Sequence, residues 1–215
     1  MKSYPFAIVF SLTAVVVGLV LQLSIGSISK SWFSFPYNVV GGAVFVFLTT
    51  AIYFLWRKTN FILRFASAPF AIVTVVTLGV LTIGLGSINV KPQELTGILG
   101  KLGLDDLTKT WYFGLVFFLT LTNLWFSILK RSMVYQRKNI AFLLNHFGLW
   151  LAMFAGVLGQ GDIVRLTMDL KKDIPQWQAK TADDKVVNLP LAIELKEFSI
   201  DIYPNKLFVI DTIGT

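Results

Sequence analysis

Charged residues divide the chain into five long apolar segments. No Asp, Glu, Lys or Arg occurs within any of these segments, which are rich in Leu, Val, Ile, Phe and Ala. Each is long enough to supply the roughly 20 apolar residues that cross about 30 Å of hydrocarbon. We therefore predict five transmembrane helices. Their predicted spans are Pro5–Ile25, Pro36–Trp56, Pro69–Ile88, Trp111–Leu129 and Ile140–Gly159.

The distribution of Lys and Arg between the loops predicts the orientation in the bilayer. If the N-terminus is cytoplasmic, the inner segments carry eight cations and no acid. The outer loops then sum to +1 and the segment after the fifth span sums to −2. The net charge of +7 is therefore explained by cations on the cytoplasmic side of the membrane. We expect the lipid bilayer as a partner, and the basic charge does not indicate binding of nucleic acid.

The segment 162–215 has the period of β-strands. Apolar and polar residues alternate over Leu189–Leu195 and, after a slip of one residue, over Phe198–Ile202. The slip predicts a β-bulge. Turn-forming residues at Tyr203–Lys206 predict a return strand over Leu207–Asp211.

The predicted fold class is an all-α membrane protein with a short antiparallel β extracytoplasmic segment. Residues 1–161 form the five-helix transmembrane domain and residues 162–215 begin the β-domain. Two or three strands leave an exposed edge and little core. We therefore expect the β-domain to be completed by further chain or by a partner.

Missing residue types exclude several activities. The chain contains no Cys, which excludes a thiol-disulfide oxidoreductase, a thioether-linked cytochrome and a thiolate metal site. It has no P-loop, dinucleotide fingerprint, metal-binding His pair or serine-nucleophile elbow. The predicted spans contain no Asp, Glu, Lys or Arg, which disfavours a transporter that works through a carboxylate relay.

The single histidine, His146, lies near the predicted inner end of the fifth span. At 100° per residue, Trp150 and Met153 share its helix face. The opposite face carries a stripe of small residues, which allows a neighbouring helix to approach closely. The stripe consists of Gly148, Ala152 and Gly156.

Two interpretations of His146 are open from its position. It is either a structural histidine, hydrogen-bonded to Asn145, to a backbone carbonyl or to lipid headgroups, or an imidazole ligand to haem iron. In the second case Trp150 and Met153 supply apolar contacts to the porphyrin. One histidine excludes bis-histidine haem within this chain, so a second axial ligand would come from water, Met or another protein.

The order of residues after position 142 also resembles a known family. A histidine is followed by Gly148, a glycine-rich exit follows it, and the outer segment runs through Leu189–Leu191 and Phe198–Pro204 to Val209–Asp211. The glycine-rich exit consists of Gly156, Gly159 and Gly161. Over residues 142–211 this pattern resembles the ResB-type proteins of system II cytochrome c maturation.

The resemblance implies a subunit of a membrane complex that exports haem and supports its attachment to c-type apocytochromes. The family's transmembrane histidine maps onto His146, which implies transient binding of haem b. Implied partners are a ResC-type tryptophan-rich membrane protein and apocytochrome c, so the chain is not expected to be catalytic alone. The implied location is the bacterial cytoplasmic (inner) membrane, with the C-terminal segment extracytoplasmic.

Two other function classes remain open at this point. A membrane scaffold or sensor with an outer β-domain needs no haem, and substitution of His146 would leave its function intact. A b-type quinol-oxidising cytochrome subunit needs two histidines for each haem, whereas this chain has one.

Overall fold

The computed structural model describes residues 3–86, 100–104, 106–134, 136–181 and 184–200. The described residues divide into two compact units, with the boundary after Ile163. The first unit is helical, and the second contains a small antiparallel β-sheet.

Helices of the first unit cover all five apolar segments of the sequence. Four of them, α1, α2, α5 and α6, are long and apolar enough to cross a membrane, whereas α4 is apolar over the shorter stretch Ala68–Gly84. The predicted end of the α4 span at Ile88 lies outside the described residues. The helices are α1 (Ser3–Ile25), α2 (Tyr37–Trp56), α3 (Asn60–Phe65), α4 (Ala68–Gly86), α5 (Trp111–Ser132) and α6 (Lys138–Leu158).

Helix α5 is the centre of this unit, because α1, α2, α4 and α6 all pack against it. Its approach to α1 is close at Gly18, where an added Cβ would lie 2.8 Å from the Cβ of Tyr112 and closer still to the Tyr112 backbone. Only glycine allows two helix backbones to meet at this distance. Gly18 therefore fixes the crossing of α1 and α5.

The surface of the helical unit is apolar, unlike that of a water-soluble protein, and its interior includes polar side chains. Large apolar side chains such as Val20 and Phe47 are exposed, whereas Ser11, Thr74 and Asn123 are buried. Hydroxyl groups join helices in the interior, since Ser11 Oγ donates to Thr77 Oγ1 of α4 at 2.9 Å. Apolar exteriors and polar or small residues at helix interfaces are typical of helices in lipid.

A short helix, α3, connects α2 to α4 and was not predicted from the sequence. It begins after Thr59, whose Oγ1 accepts the Ile62 amide at 3.4 Å as an N-cap. Its aromatic residue Phe65 packs against Phe70 of α4 with ring centroids 4.2 Å apart. The resulting core cluster comprises Ala7, Tyr53, Ile62, Phe65, Ala66, Phe70 and Phe126.

The second unit contains an antiparallel pair of strands, β1 (Gln176–Lys180) and β2 (Val186–Ile193). An antiparallel β-segment was predicted, although β1 was not recognised within its polar surroundings. The register shifts between Gln176, which pairs with Ile193, and Gln178, which pairs with Asn188. Between these two pairs β2 contains more residues than β1, as in a β-bulge. One of the additional residues is Pro190, which has no backbone N–H to donate to the neighbouring strand.

The predicted strand over Phe198–Ile202 is wrong in its described part, because Phe198–Ile200 forms no strand. The chain leaves β1 after Ile193, and Leu195 instead forms an isolated parallel bridge with Lys172. The irregularity therefore lies within β2 and not at the predicted slip after Leu195. The predicted turn and return strand, residues 203–211, lie outside the described residues.

Candidate functional site

The imidazole of His146 is held in one tautomer by its own helix. Its Nδ1 lies 2.9 Å from the carbonyl oxygen of Phe142, one turn earlier in α6. A carbonyl oxygen can only accept, so Nδ1 carries the proton of this hydrogen bond. In the neutral ring Nε2 then keeps its lone pair, and it has no hydrogen-bond partner among the described residues. Histidines that bind metals are oriented in the same way by a carbonyl or carboxylate.

The phenyl ring of Phe142 links His146 to a cation. The Phe142 and His146 rings are stacked, with centroids 3.6 Å apart and an interplanar angle of 22°. The guanidinium carbon of Arg131, at the end of α5, lies 5.0 Å from the centroid of the Phe142 ring. This distance is within the range of a cation–π interaction. A positive charge and an imidazole therefore contact the same aromatic ring.

His146 and Arg131 both line a cavity of about 730 Å³ between α4, α5 and α6. Its volume falls within the roughly 300–1,000 Å³ of typical small-molecule and cofactor sites. The wall is mainly apolar, and no acidic residue is among its lining residues. Its polar lining residues are Thr120, Asn123, Ser127, Lys130, Arg131 and His146.

Asn123 builds one wall of the cavity. It is 2% exposed, and its Nδ2 donates a short hydrogen bond to the carbonyl of Phe65 and a longer one to that of Ser67 at 3.4 Å. These carbonyls belong to the end of α3 and to the link into α4. Asn123 thus links α5 to the junction of α3 and α4 by hydrogen bonds and fixes the distance between these elements at the cavity.

The three residues predicted to contact haem do not all line the cavity. Met153 lines it together with His146, two helical turns away along α6. Trp150 does not, because it is 4% exposed, stacks on Phe154 and packs against Trp125 of α5, at 4.5 and 4.7 Å between ring centroids. Its indole Nε1 has no hydrogen-bond partner in the described part of the chain. Trp150 therefore belongs to the α5–α6 interface.

The remaining cavity residues were not selected from the sequence, although signals for them exist. Asn123 is the single carboxamide in the apolar segment Trp111–Leu129, and a buried amide at membrane depth is costly unless it is paired. Lys130 and Arg131 were counted only as indicators of orientation. Both residues line the cavity because α5 packs against α6. The sequence does not reveal this packing.

Chemically, the site offers one imidazole, two cations and an apolar wall. Within the described ranges, no group of three or more His, Cys, Asp or Glu residues could hold a metal ion. A metal at His146 would therefore bring most of its ligands with it, as iron in a porphyrin does. The lining residues suit a ligand that has an apolar body and negative charge and that can be held by one imidazole nitrogen.

Comparisons of the chain with family models, curated proteins and solved structures found no match. The cavity between α4, α5 and α6 and the chemistry of its lining residues are therefore the basis for assigning a function.

Proposed function

We propose that this protein is a five-span membrane subunit that holds haem transiently in the cavity beside His146. Haem is the cargo, and the chain is a ResB-type component of a complex that exports haem and supports its attachment to c-type apocytochromes. The observation that carries the proposal is the hydrogen bond from His146 Nδ1 to Phe142, which leaves Nε2 available in a mainly apolar cavity.

The membrane location rests on the polarity of the helical unit. Exposed Val, Leu, Ile and Phe side chains cover α1, α2, α4 and α6, and contact with hydrocarbon is favourable for them. The cation distribution supports a cytoplasmic N-terminus and an extracytoplasmic segment after the fifth span. On this topology, His146 and Lys130 lie towards the cytoplasmic side, where haem is available to enter.

The residues of this chain bind and orient the cargo. His146 would supply a nitrogen ligand to the iron, and Met153 would contact the apolar macrocycle. Leu149 and Ala71 contribute to the apolar wall, which excludes water from the macrocycle. The chain has no Cys, so the thiols that receive haem belong to the apocytochrome, and a tryptophan-rich ResC-type partner would present haem to them.

The proposal is tested by titrating the protein with haem in nanodiscs and recording visible spectra. Wild type is expected to give a Soret shift that saturates at one haem per chain. His146→Ala is expected to weaken binding at least about tenfold, since an axial ligand is lost. Asn145→Ala is the matched control, because Asn145 is exposed and does not line the cavity.

Two outcomes would contradict the proposal. Equal haem affinity in wild type and His146→Ala would return His146 to a structural role. Absence of a saturable Soret shift in wild type, with and without the ResC-type partner, would leave a membrane scaffold or sensor as the better description.

A further inference from the structure

The cavity beside His146 has a charged end. Lys130 and Arg131 are adjacent residues in the last turn of α5, and both line the cavity. The cavity lining contains no Asp or Glu, and in the described part of the chain neither cation forms an ion pair with a carboxylate. Two positive charges without a counter-charge among the described residues thus border a mainly apolar volume.

The charged end is joined to the imidazole through one aromatic ring. Arg131 lies over Phe142 at 5.0 Å, and Phe142 stacks on His146 at 3.6 Å. A ligand held at His146 would thus lie in a cavity that Lys130 and Arg131 also border. Haem has this shape, with iron at the centre of an apolar macrocycle and two carboxylates on one edge.

We infer that Lys130 and Arg131 bind the two carboxylates of haem and fix its orientation in the cavity. Arginine pairs with carboxylates in bidentate geometry, and lysine acts as a point charge. The carboxylate edge would face the end of α5, where water can reach both charges, and the apolar edge would lie between α4 and α6. This inference rests on the proposed haem function and adds the residues that determine orientation.

A simpler account is that both cations only extend from the membrane into water at the end of a helix. Such snorkelling is common for Lys and Arg, and their charge is favourable at a helix C-terminus. Arg57 and Lys58 at the end of α2 provide the comparison, because they have the same types of charge and do not line the cavity. The snorkelling account predicts that the two pairs are interchangeable in haem binding.

The test compares haem with haem dimethyl ester, in which both carboxylates are blocked while iron and macrocycle are retained. Binding is measured by Soret titration in phosphatidylcholine nanodiscs for wild type, Lys130→Gln/Arg131→Gln and the control Arg57→Gln/Lys58→Gln. We expect wild type and control to prefer haem over the ester by about tenfold, as two exposed ion pairs suggest. The Lys130/Arg131 variant is expected to lose this preference while binding the ester as wild type does.

Unchanged binding of the ester shows that the cavity of the variant is intact, so a loss of haem preference is not a folding defect. The inference is overturned if the Lys130/Arg131 variant keeps the wild-type preference, or if the control loses it equally. It is also overturned if phosphatidylglycerol nanodiscs abolish the wild-type preference, because the cations would then belong to a lipid headgroup. Failure of wild type to bind either compound would instead remove the proposed function itself.

Discussion

Helices α5 and α6 are similar in length and composition, but they differ in how much of their surface packs against other helices. In the most apolar window of each segment, 39% of α5 is buried against only 6% of α6. Helix α5 has neighbours on several sides, whereas α6 presents Leu144 and Leu151 outward. Apolar length alone therefore does not distinguish a helix at the centre of the unit from one at its edge.

The largest expected effect is at the crossing of α1 and α5. Gly18→Ala introduces a methyl group against the Tyr112 backbone, and the two helices can accept it only by moving apart. We expect a loss of about 3 kcal/mol in the free energy of unfolding, at the upper end of overpacking effects. Unfolding by titration with SDS in mixed micelles measures it.

The control for Gly18 lies on α6. A Cβ added at Gly148 meets nothing within 4 Å among the described residues, so Gly148→Ala is expected to change stability by less than about 0.5 kcal/mol. Equal destabilisation by the two substitutions would show that α6 is packed as tightly as α5, and the contrast between the helices would be wrong.

A second substitution removes the buried amide of α5. Asn123→Ala leaves the carbonyls of Phe65 and Ser67 without this donor, and we expect a loss of about 1–2 kcal/mol. The same SDS titration measures it. The comparison residue on α6 is the exposed Asn145, whose replacement by Ala is expected to have little effect. A stable Asn123→Ala variant with unchanged haem binding would show that Asn123 does not maintain the cavity wall.

The smallest expected effect concerns the chain entering α5. Burial raises the pKa of Asp106, but hydrogen bonds from Lys109 and Thr108 and the charge of Lys109 lower it more, so this pKa lies below its ordinary value. The ion pair between Lys109 Nζ and Asp106 Oδ2 measures 2.8 Å. Asp106 also accepts the Thr108 amide and so caps the 3-10 helix Leu107–Lys109 that precedes α5, whereas Arg137 before α6 makes no side-chain capping hydrogen bond.

Because the folded pKa of Asp106 is depressed, its contribution to stability is present above the ordinary carboxyl pKa of about 3.9 and is lost as the pH falls through the lowered value. Thermal unfolding followed by circular dichroism in detergent is expected to show wild type slightly more stable than Asp106→Asn at neutral pH. The difference should disappear in acid. A difference that does not depend on pH would assign the effect to the amide substitution and not to charge.

The positions of the long helices were predictable because charge is excluded from hydrocarbon over a length that the sequence records directly. The direction in which a single side chain points from its helix was not predictable. Trp150 lies only about 40° from His146 on the helical wheel, yet its indole packs against Trp125 of α5. That choice depends on a neighbouring helix, so the sequence of α6 could not reveal it.

The same reason explains why part of the cavity was missed. Lys130, Arg131 and Asn123 lie on α5, and Ala66 and Ala71 lie on or before α4. Each residue has an ordinary explanation within its own segment, as a positive flank, a buried amide or a small apolar residue. Their common role depends on three helices meeting at one place, which hydropathy does not encode.

The start of α2 is held by residues that come late in the chain. Asn38 Nδ2 donates to the carbonyl of Leu158 at 2.9 Å and to Asp162 Oδ2 at 2.7 Å, and the Phe35 amide donates to Asp162 Oδ1 at 2.9 Å. Asn38 and Leu158 are 120 positions apart. At roughly 5–20 residues per second of synthesis, Asn38 is made on the order of ten seconds before these acceptors exist. During that interval the buried amide of Asn38 depends on water, on lipid headgroups or on the insertion machinery, and the arrival of α6 completes the assembly.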